Sequence, residues 1–156
     1  MTAAPLIRDA VEADLPAIVA LMQQLERGGS GYPASAPAAA SEAQRRAFAE
    51  IGRNPHSRLL VIEDAGRVVG TTILMIVPNL SAGGRPRAIV ENVVVDEQAR
   101  GRRYGERLMA FCRAEAEAAG CFKLQLTSNN RRTDAHRFYE RLGYEFSHHG
   151  YTLRLP

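Results

Sequence analysis

Two hydrophobic rhythms alternate along this chain. Leu15, Ile18, Val19, Met22 and Leu25 recur at spacings of three and four, which predicts an amphipathic helix after a short first strand over residues 6–8. Asp14 and Pro16 suit its first turn, and Gly28-Gly29 stops it. Residues 28–41, rich in Gly, Ser, Pro and Ala, show no period and read as a loop. A second helix is predicted over 42–52, with Ala47, Phe48 and Ile51 as its apolar face, ended by Asn54-Pro55. Two β-rich runs, 58–62 and 67–77, flank Glu63-Asp64-Ala65-Gly66 and predict a hairpin. Residues 87–95, RAIVENVVV, are the most β-branched stretch and read as a central strand. The strongest helix signal covers 102–119, with Tyr104, Leu108, Phe111, Cys112 and Ala119 on one stripe and Gly120 just past its end. A strand over 121–127 and a short helix over 133–142 follow. Strands over 144–146 and 151–155 then close the chain as a hairpin through Gly150.

The strand 87–95, the helix after it and the strand 121–127 have the length of one right-handed crossover, so those strands should run parallel. The other connections suit antiparallel pairing. The expected fold is α/β of the α+β type: a mixed, mostly antiparallel central sheet of about seven strands, flanked by about four helices, with one parallel βαβ crossover. No internal repeat is visible, and the 156 residues are expected to form one domain, 1–156.

Composition narrows the functional classes. The chain is 46% hydrophobic and 24% charged, as in soluble globular proteins rather than disordered or disulfide-stapled ones. Its two cysteines, Cys112 and Cys121, lie in apolar elements and read as buried free thiols. No signal-peptide pattern opens the sequence and no apolar run has the length of a membrane helix, so a cytoplasmic setting is expected, with no membrane partner. The formal charge is +3, and nineteen of the twenty basic residues are Arg. Taken whole, that excess suggests a polyanion partner. Along the chain it resolves into one turn, where Arg100, Arg102, Arg103 and Arg107 stand against Glu106 alone. A single basic turn, few aromatics and no Trp argue against nucleic acid and for one anionic ligand.

That turn, RGRRYG at 100–105, lies between the central strand and its helix. Backbone N–H groups at a helix start lack intrahelical partners and carry partial positive charge, which suits phosphate. Gly101 and Gly105 let the backbone approach a ligand closely, and the arginines add charge-assisted hydrogen bonds. A solvated basic turn is the alternative. Neither the G-x-G-x-x-G fingerprint nor the G-x-x-x-x-G-K-[ST] loop is present, which argues against those nucleotide sites.

The run ENVVVDEQARGRRYGERLM, followed by AHRFYERLGYEF, resembles the GNAT superfamily of N-acetyltransferases. Those enzymes share [QR]-x-x-G-x-[GA] after a central strand and FYE+LG[FY] near the C-terminus, and the element order fits as well. The resemblance implies an acyltransferase that moves the acetyl group of acetyl-CoA, its co-substrate, directly to a primary amine of a small molecule or peptide, without a metal. It implies that Arg100, Gly101, Arg102, Arg103, Tyr104 and Gly105 hold the pyrophosphate, and that pantetheine pairs with the main chain of Val93, Val94 and Val95. Arg103 occupies the slot where the pattern has Gly. Thr127 ends the second parallel strand beside the expected ligand gap. Arg132 holds a slot that is often Asn, for which Asn129 or Asn130 could substitute.

The same resemblance places Tyr139 at the family's general-acid tyrosine. A hydroxyl with an ordinary pKa of ~10 is protonated at neutral pH and can protonate a leaving thiolate. Glu91 is the candidate base: it interrupts an apolar run, where a carboxylate needs a partner or a function. Pairing with Arg85 or Arg87 is the structural alternative. Strict alternation would put Glu91, Val93 and Val95 on one face and Val90, Asn92 and Val94 on the other. Asn92 would orient substrate or water, or satisfy backbone at a bulge. His136, one turn before Tyr139, and Tyr32, in the loop that varies most among relatives, are candidate substrate contacts. The His148-His149 pair and His56 lack metal-ligand spacing. Relatives often form homodimers through C-terminal strands, and a homodimer stays open here. A non-catalytic acyl-CoA-binding or regulatory module on the same fold is the alternative function.

Overall fold

The computed structural model describes residues 4–31 and 39–156. Tyr32 therefore lies outside the described residues. One five-stranded sheet organises the chain, in the order β1-β2-β3-β4-β5. The strands are β1 (Leu6–Asp9), β2 (Ser57–Asp64), β3 (Arg67–Val77), β4 (Arg87–Val95) and β5 (Leu124–Gln125), with helices α1 (Leu15–Arg27), α2 (Glu42–Arg53), α3 (Tyr104–Ala118) and α4 (Thr133–Arg141). Three neighbouring pairs are antiparallel, and β4 with β5 is parallel across α3, as the crossover length implied.

About seven strands were expected, and five are formed among the described residues. The stretches 144–146 and 151–155 carry strand-like apolar residues, but no strand pairs with them. Strand structure needs a hydrogen-bonding neighbour, and β-propensity alone does not supply one. Tyr151, Leu153 and Leu155 are each more than four-fifths exposed. The last parallel strand is also shorter than the predicted 121–127, because its pairing with β4 stops after two residues.

The sheet separates two apolar layers. On one face, Leu60, Leu74, Ala88 and Val90 pack with Met109, Cys112 and Ala116 of α3 and Tyr139 of α4. On the other, Leu21 and Leu25 of α1 close over Val94. Helix α1 is anchored at its start by Arg8, whose guanidinium donates to both Asp14 oxygens (2.6 and 3.0 Å) and to Glu63 Oε2 (2.6 Å). This partnership holds the Asp14 carboxyl below its ordinary pKa. Helix α2 has no buried residue; its N-terminus is closed by a capping box between Ser41 and Gln44. It lies against β2 and covers that face lightly.

Candidate functional site

The site begins with a break in β4. Ile73 of β3 faces Glu91 and Thr71 faces Val94, so two β4 residues stand opposite the single Thr72. Asn92 absorbs the extra residue in the left-handed region, at φ 56°. This bulge overturns the expected strict alternation. Val90 points to the α3 layer and Glu91 to the α1 and α2 side, but beyond the bulge Val93 packs on the α3 and α4 cluster while Val94 faces α1. Glu91 thus shares a face with Val94 and not with Val93 and Val95. Asn92 stands at the bulge and also lines the cavity beside Glu91. Thr72 secures the bulge: the buried Oγ1 donates to the Glu91 carbonyl at 2.9 Å.

A second break lies on the other edge of β4. Pairing with β5 is limited to Ala88 with Leu124 and Ile89 with Gln125. From Val90 onward the strands splay, and the edge of β4 over Val93 to Val95 has no strand beside it. Thr127 and Asn130 are exposed beyond the end of β5. The Oγ of half-buried Ser128 is shielded from solvent there, with no hydrogen-bond partner among the described residues.

Helix α4 fills the mouth of this gap. Tyr139 is 8% exposed, and its ring meets Phe138 and Tyr144 edge-on at centroid distances of 5.1 and 5.8 Å. Burial is the main cause that raises its hydroxyl above the ordinary tyrosine pKa; Arg132 opposes the rise and the charge of Glu91 adds to it. Tyr139 packs on the α3 and α4 side of the sheet, while Glu91 lines the cavity on the α1 and α2 side. His136, predicted as a substrate contact, has its Nε2 2.9 Å from the Asn129 carbonyl, which ties α4 to the preceding loop. Arg85, one of two partners considered for Glu91, instead donates to the carbonyls of Gly120 (3.2 Å) and Cys121 (3.0 Å).

The basic turn stands at the far end of β4. Arg100, Gly101, Arg102 and Arg103 are exposed, and α3 begins at Tyr104 rather than at residue 102. Arg103 is not helical: it caps α3 from the left-handed region, at φ 62°. The slot that the family pattern gives to Gly thus has the backbone conformation that glycine adopts most readily. The Arg103 side chain turns back to Glu106, with Nε donating to Oε2 at 2.7 Å, and leaves the turn open. Tyr104 presents only main chain to a ligand, because its side chain is buried and its hydroxyl donates to Asp64. Gly105 has a packing role as well: a Cβ there would stand 3.1 Å from Phe138 Cζ, so its absence brings α3 close to α4.

Sequence reasoning missed the cavity on the Glu91 side. It has a volume of about 490 Å³ and opens between α1, α2 and strands β2 to β4. Glu91 and Asn92 form its inner wall, Ile73 and Met75 its floor, and Met22, Leu25 and Glu26 its α1 side. Glu26 carried no signal in the sequence, where it reads as one more polar position near a helix end. Among the described residues, no group of three or more His, Cys, Asp or Glu could hold a metal ion, and no helix is long and apolar enough to cross a membrane. Cys112 is fully buried, and its thiol is pushed up to about 12. That keeps it protonated and unsuited to nucleophilic attack.

The family model for the acetyltransferase (GNAT) family matches residues 21–144. An aminoalkylphosphonate N-acetyltransferase from Salmonella typhimurium is 33% identical over 151 residues, covering 96% of this chain and 90% of the relative. A glucosamine 6-phosphate N-acetyltransferase from Trypanosoma brucei brucei is 37% identical over 82 residues, 53% of this chain and 54% of that protein. A crystal structure described as a transcriptional regulator from Bacillus halodurans superposes with a TM-score of 0.86 at 32% identity, covering 97% of this chain and all of that one. With the bulged central strand, the splayed parallel pair and the open basic turn in place, these matches show that the chain belongs to the GNAT family of acetyltransferases.

Proposed function

We propose that the two faces of the β4 break divide the work of an acetyl-CoA:amine N-acetyltransferase: the splayed edge takes the acyl donor and the Glu91 cavity takes the amine. The chain is an acyltransferase by family, and its named relatives acetylate amines. The observation that carries the residue-level reading is the opening between β4 and β5 after Ile89, with Tyr139 packed on the α3 and α4 side of the sheet and Glu91 lining the cavity on the α1 and α2 side.

The main-chain N–H groups of the 101–105 turn, with the exposed Arg100 and Arg102, fit a pyrophosphate. The free edge of β4 at Val93 to Val95 fits an amide-bearing arm by main-chain pairing. Thr127 and Asn130 flank that path, and the proposal includes them as donor contacts. Glu91 accepts the proton that the attacking ammonium must lose, directly or through water. The amine nitrogen then bonds the acetyl carbon, the carbon–sulfur bond breaks, and Tyr139 gives its hydroxyl proton to the leaving thiolate. The nitrogen, now bonded to the acetyl carbon, releases its second proton to solvent, and solvent returns one to Tyr139; the products are a neutral amide and a free thiol, with the proton taken by Glu91 as the net proton released. Direct transfer needs no acyl-enzyme, which agrees with the inert Cys112. We further infer a cytoplasmic enzyme of one domain over 1–156. Its homodimer would form through the C-terminal stretch, whose exposed Phe146, Tyr151, Leu153 and Leu155 support that reading.

The test mixes purified protein with acetyl-CoA and a panel of primary amines and follows thiol release, with mass spectrometry on the products. Amine-dependent release with an N-acetylated product is expected. Acetyl-CoA binding without turnover on any amine would favour the second reading, a regulatory acyl-CoA-binding module. That reading draws on the description of the Bacillus halodurans structure.

A further inference from the structure

We propose that Asp64, the last residue of β2, is a positioning residue for the acyl donor: it fixes the basic turn in the shape that receives the donor's phosphates. The inference rests on the donor half of the acetyltransferase reading, in which that turn holds a pyrophosphate.

Two residues of the turn meet one carboxylate oxygen. The Tyr104 hydroxyl donates to Asp64 Oδ2, and Arg102 Nη1 stands 3.7 Å from the same atom. The residue between them is Arg103, at φ 62°. A non-glycine residue persists in that region where its surroundings over-determine it. Here both flanking side chains are tethered to one point on another strand. Tyr104 opens α3 and packs with Ile62, Val69 and Leu108, so its hydroxyl bond sets where the helix N-terminus stands against the sheet. Main-chain N–H groups bind an anion best when they are held in one arrangement before it arrives.

Asp64 is itself firmly placed. It pairs with Arg67 across the two-residue turn Ala65-Gly66, whose φ angles of 48° and 76° suit a tight hairpin. The same hairpin grips the segment that leads into the basic turn. Arg67 Nη2 lies 3.5 Å from Asp96 Oδ2, and the Asp96 N–H donates to the Val69 carbonyl at 2.9 Å. The hairpin thus holds the donor turn from both ends, at Asp96 before it and at Tyr104 after it. The two ion pairs contribute little, because Arg67 and Arg102 are each about two-thirds exposed. The hydroxyl bond is the firm one, being charge-assisted and made by a buried tyrosine. Arg102, longer in its contact and exposed, can leave the carboxylate for a phosphate.

Binding of CoA by calorimetry and of pantetheine, which has no phosphate, by NMR titration tests this. The proteins compared are wild type, Tyr104→Phe and Asp64→Ala, with unfolding curves to confirm that each is folded. Tyr104→Phe keeps the ring and deletes only the hydroxyl, so it decides the matter alone if Asp64→Ala does not fold. Both variants should bind CoA about tenfold more weakly, with pantetheine within about twofold of wild type. The double substitution should lose no more than the larger single loss, because both remove the same bond. CoA affinity that is unchanged or tightened in the folded variants overturns the inference and leaves the donor reading intact. An equal loss for pantetheine also overturns it, since Asp64 would then be a general prop of the fold. A wild-type protein that binds no CoA would overturn both.

Discussion

Thr72 Oγ1 donates a 2.9 Å hydrogen bond to the carbonyl of Glu91, and so holds the one irregular step of the central strand. The fully buried threonine thereby ties β3 to the bulged step of β4. Thr72→Val keeps the shape and removes the donor. The expected cost is about 1 kcal/mol in unfolding free energy, the usual net contribution of one internal hydrogen bond. A fall in kcat should accompany it as Glu91 loses its position, with much of both restored in Thr72→Ser. Chemical denaturation and steady-state kinetics on the two variants check this.

Arg103 is a non-glycine residue at φ 62°, in the slot where its family pattern has Gly. Left-handed backbone costs an L-residue roughly 1–2 kcal/mol, while glycine gives back part of that gain through its freer unfolded chain. Arg103→Gly also loses the exposed pair with Glu106, a contribution of ~1 kcal/mol or less. The net expectation is a change between zero and about 1 kcal/mol in favour of the variant. Arg103→Val should destabilise, because a β-branched side chain is strained in that region. Thermal unfolding of both variants reads the difference.

Much of this was legible in the sequence. The helix periods of α1 and α3, the β2–β3 hairpin, the crossover and the position of the basic turn all follow from local pattern. The motifs FYERLGY and RGRRYG located Tyr139 and the turn before any geometry was known. The rest depended on long-range pairing. Whether 151–155 becomes a strand depends on a neighbour, and its own residues cannot show one. Asn92 marks a candidate bulge in RAIVENVVV, but whether one forms, and so the reversed faces of Val93 and Val94, depends on the register of β3 against β4. Glu26 joins Glu91 only because α1 crosses β4 at that bulge.

Close packing of α3 on α4 gives a further prediction. In Gly105→Ala the new Cβ would meet the Phe138 ring at 3.1 Å, tighter than ordinary contact. A loss of about 1–3 kcal/mol is expected from overpacking. Phe138→Leu should relieve part of it, so the two substitutions together cost less than their sum. A double-mutant cycle by chemical denaturation measures the coupling.

Tyr139 also predicts a pH profile. Its hydroxyl titrates above the ordinary tyrosine pKa because it is buried, so the acid form persists as pH rises through neutrality and beyond. With saturating amine and acetyl-CoA, kcat should show no fall assignable to loss of this proton between pH 7 and about 9.5. A falling limb centred near pH 8 in the wild type, absent from Tyr139→Phe, would assign the group a lowered pKa and contradict the burial account.

The most direct test is kcat for acetyl transfer in Tyr139→Phe against wild type, with unfolding curves confirming that both proteins are folded. The account predicts a loss of roughly 10²-fold or more, the usual contribution of a general acid. Undiminished turnover in the folded variant would contradict the assignment of Tyr139 as the group that protonates the leaving thiolate.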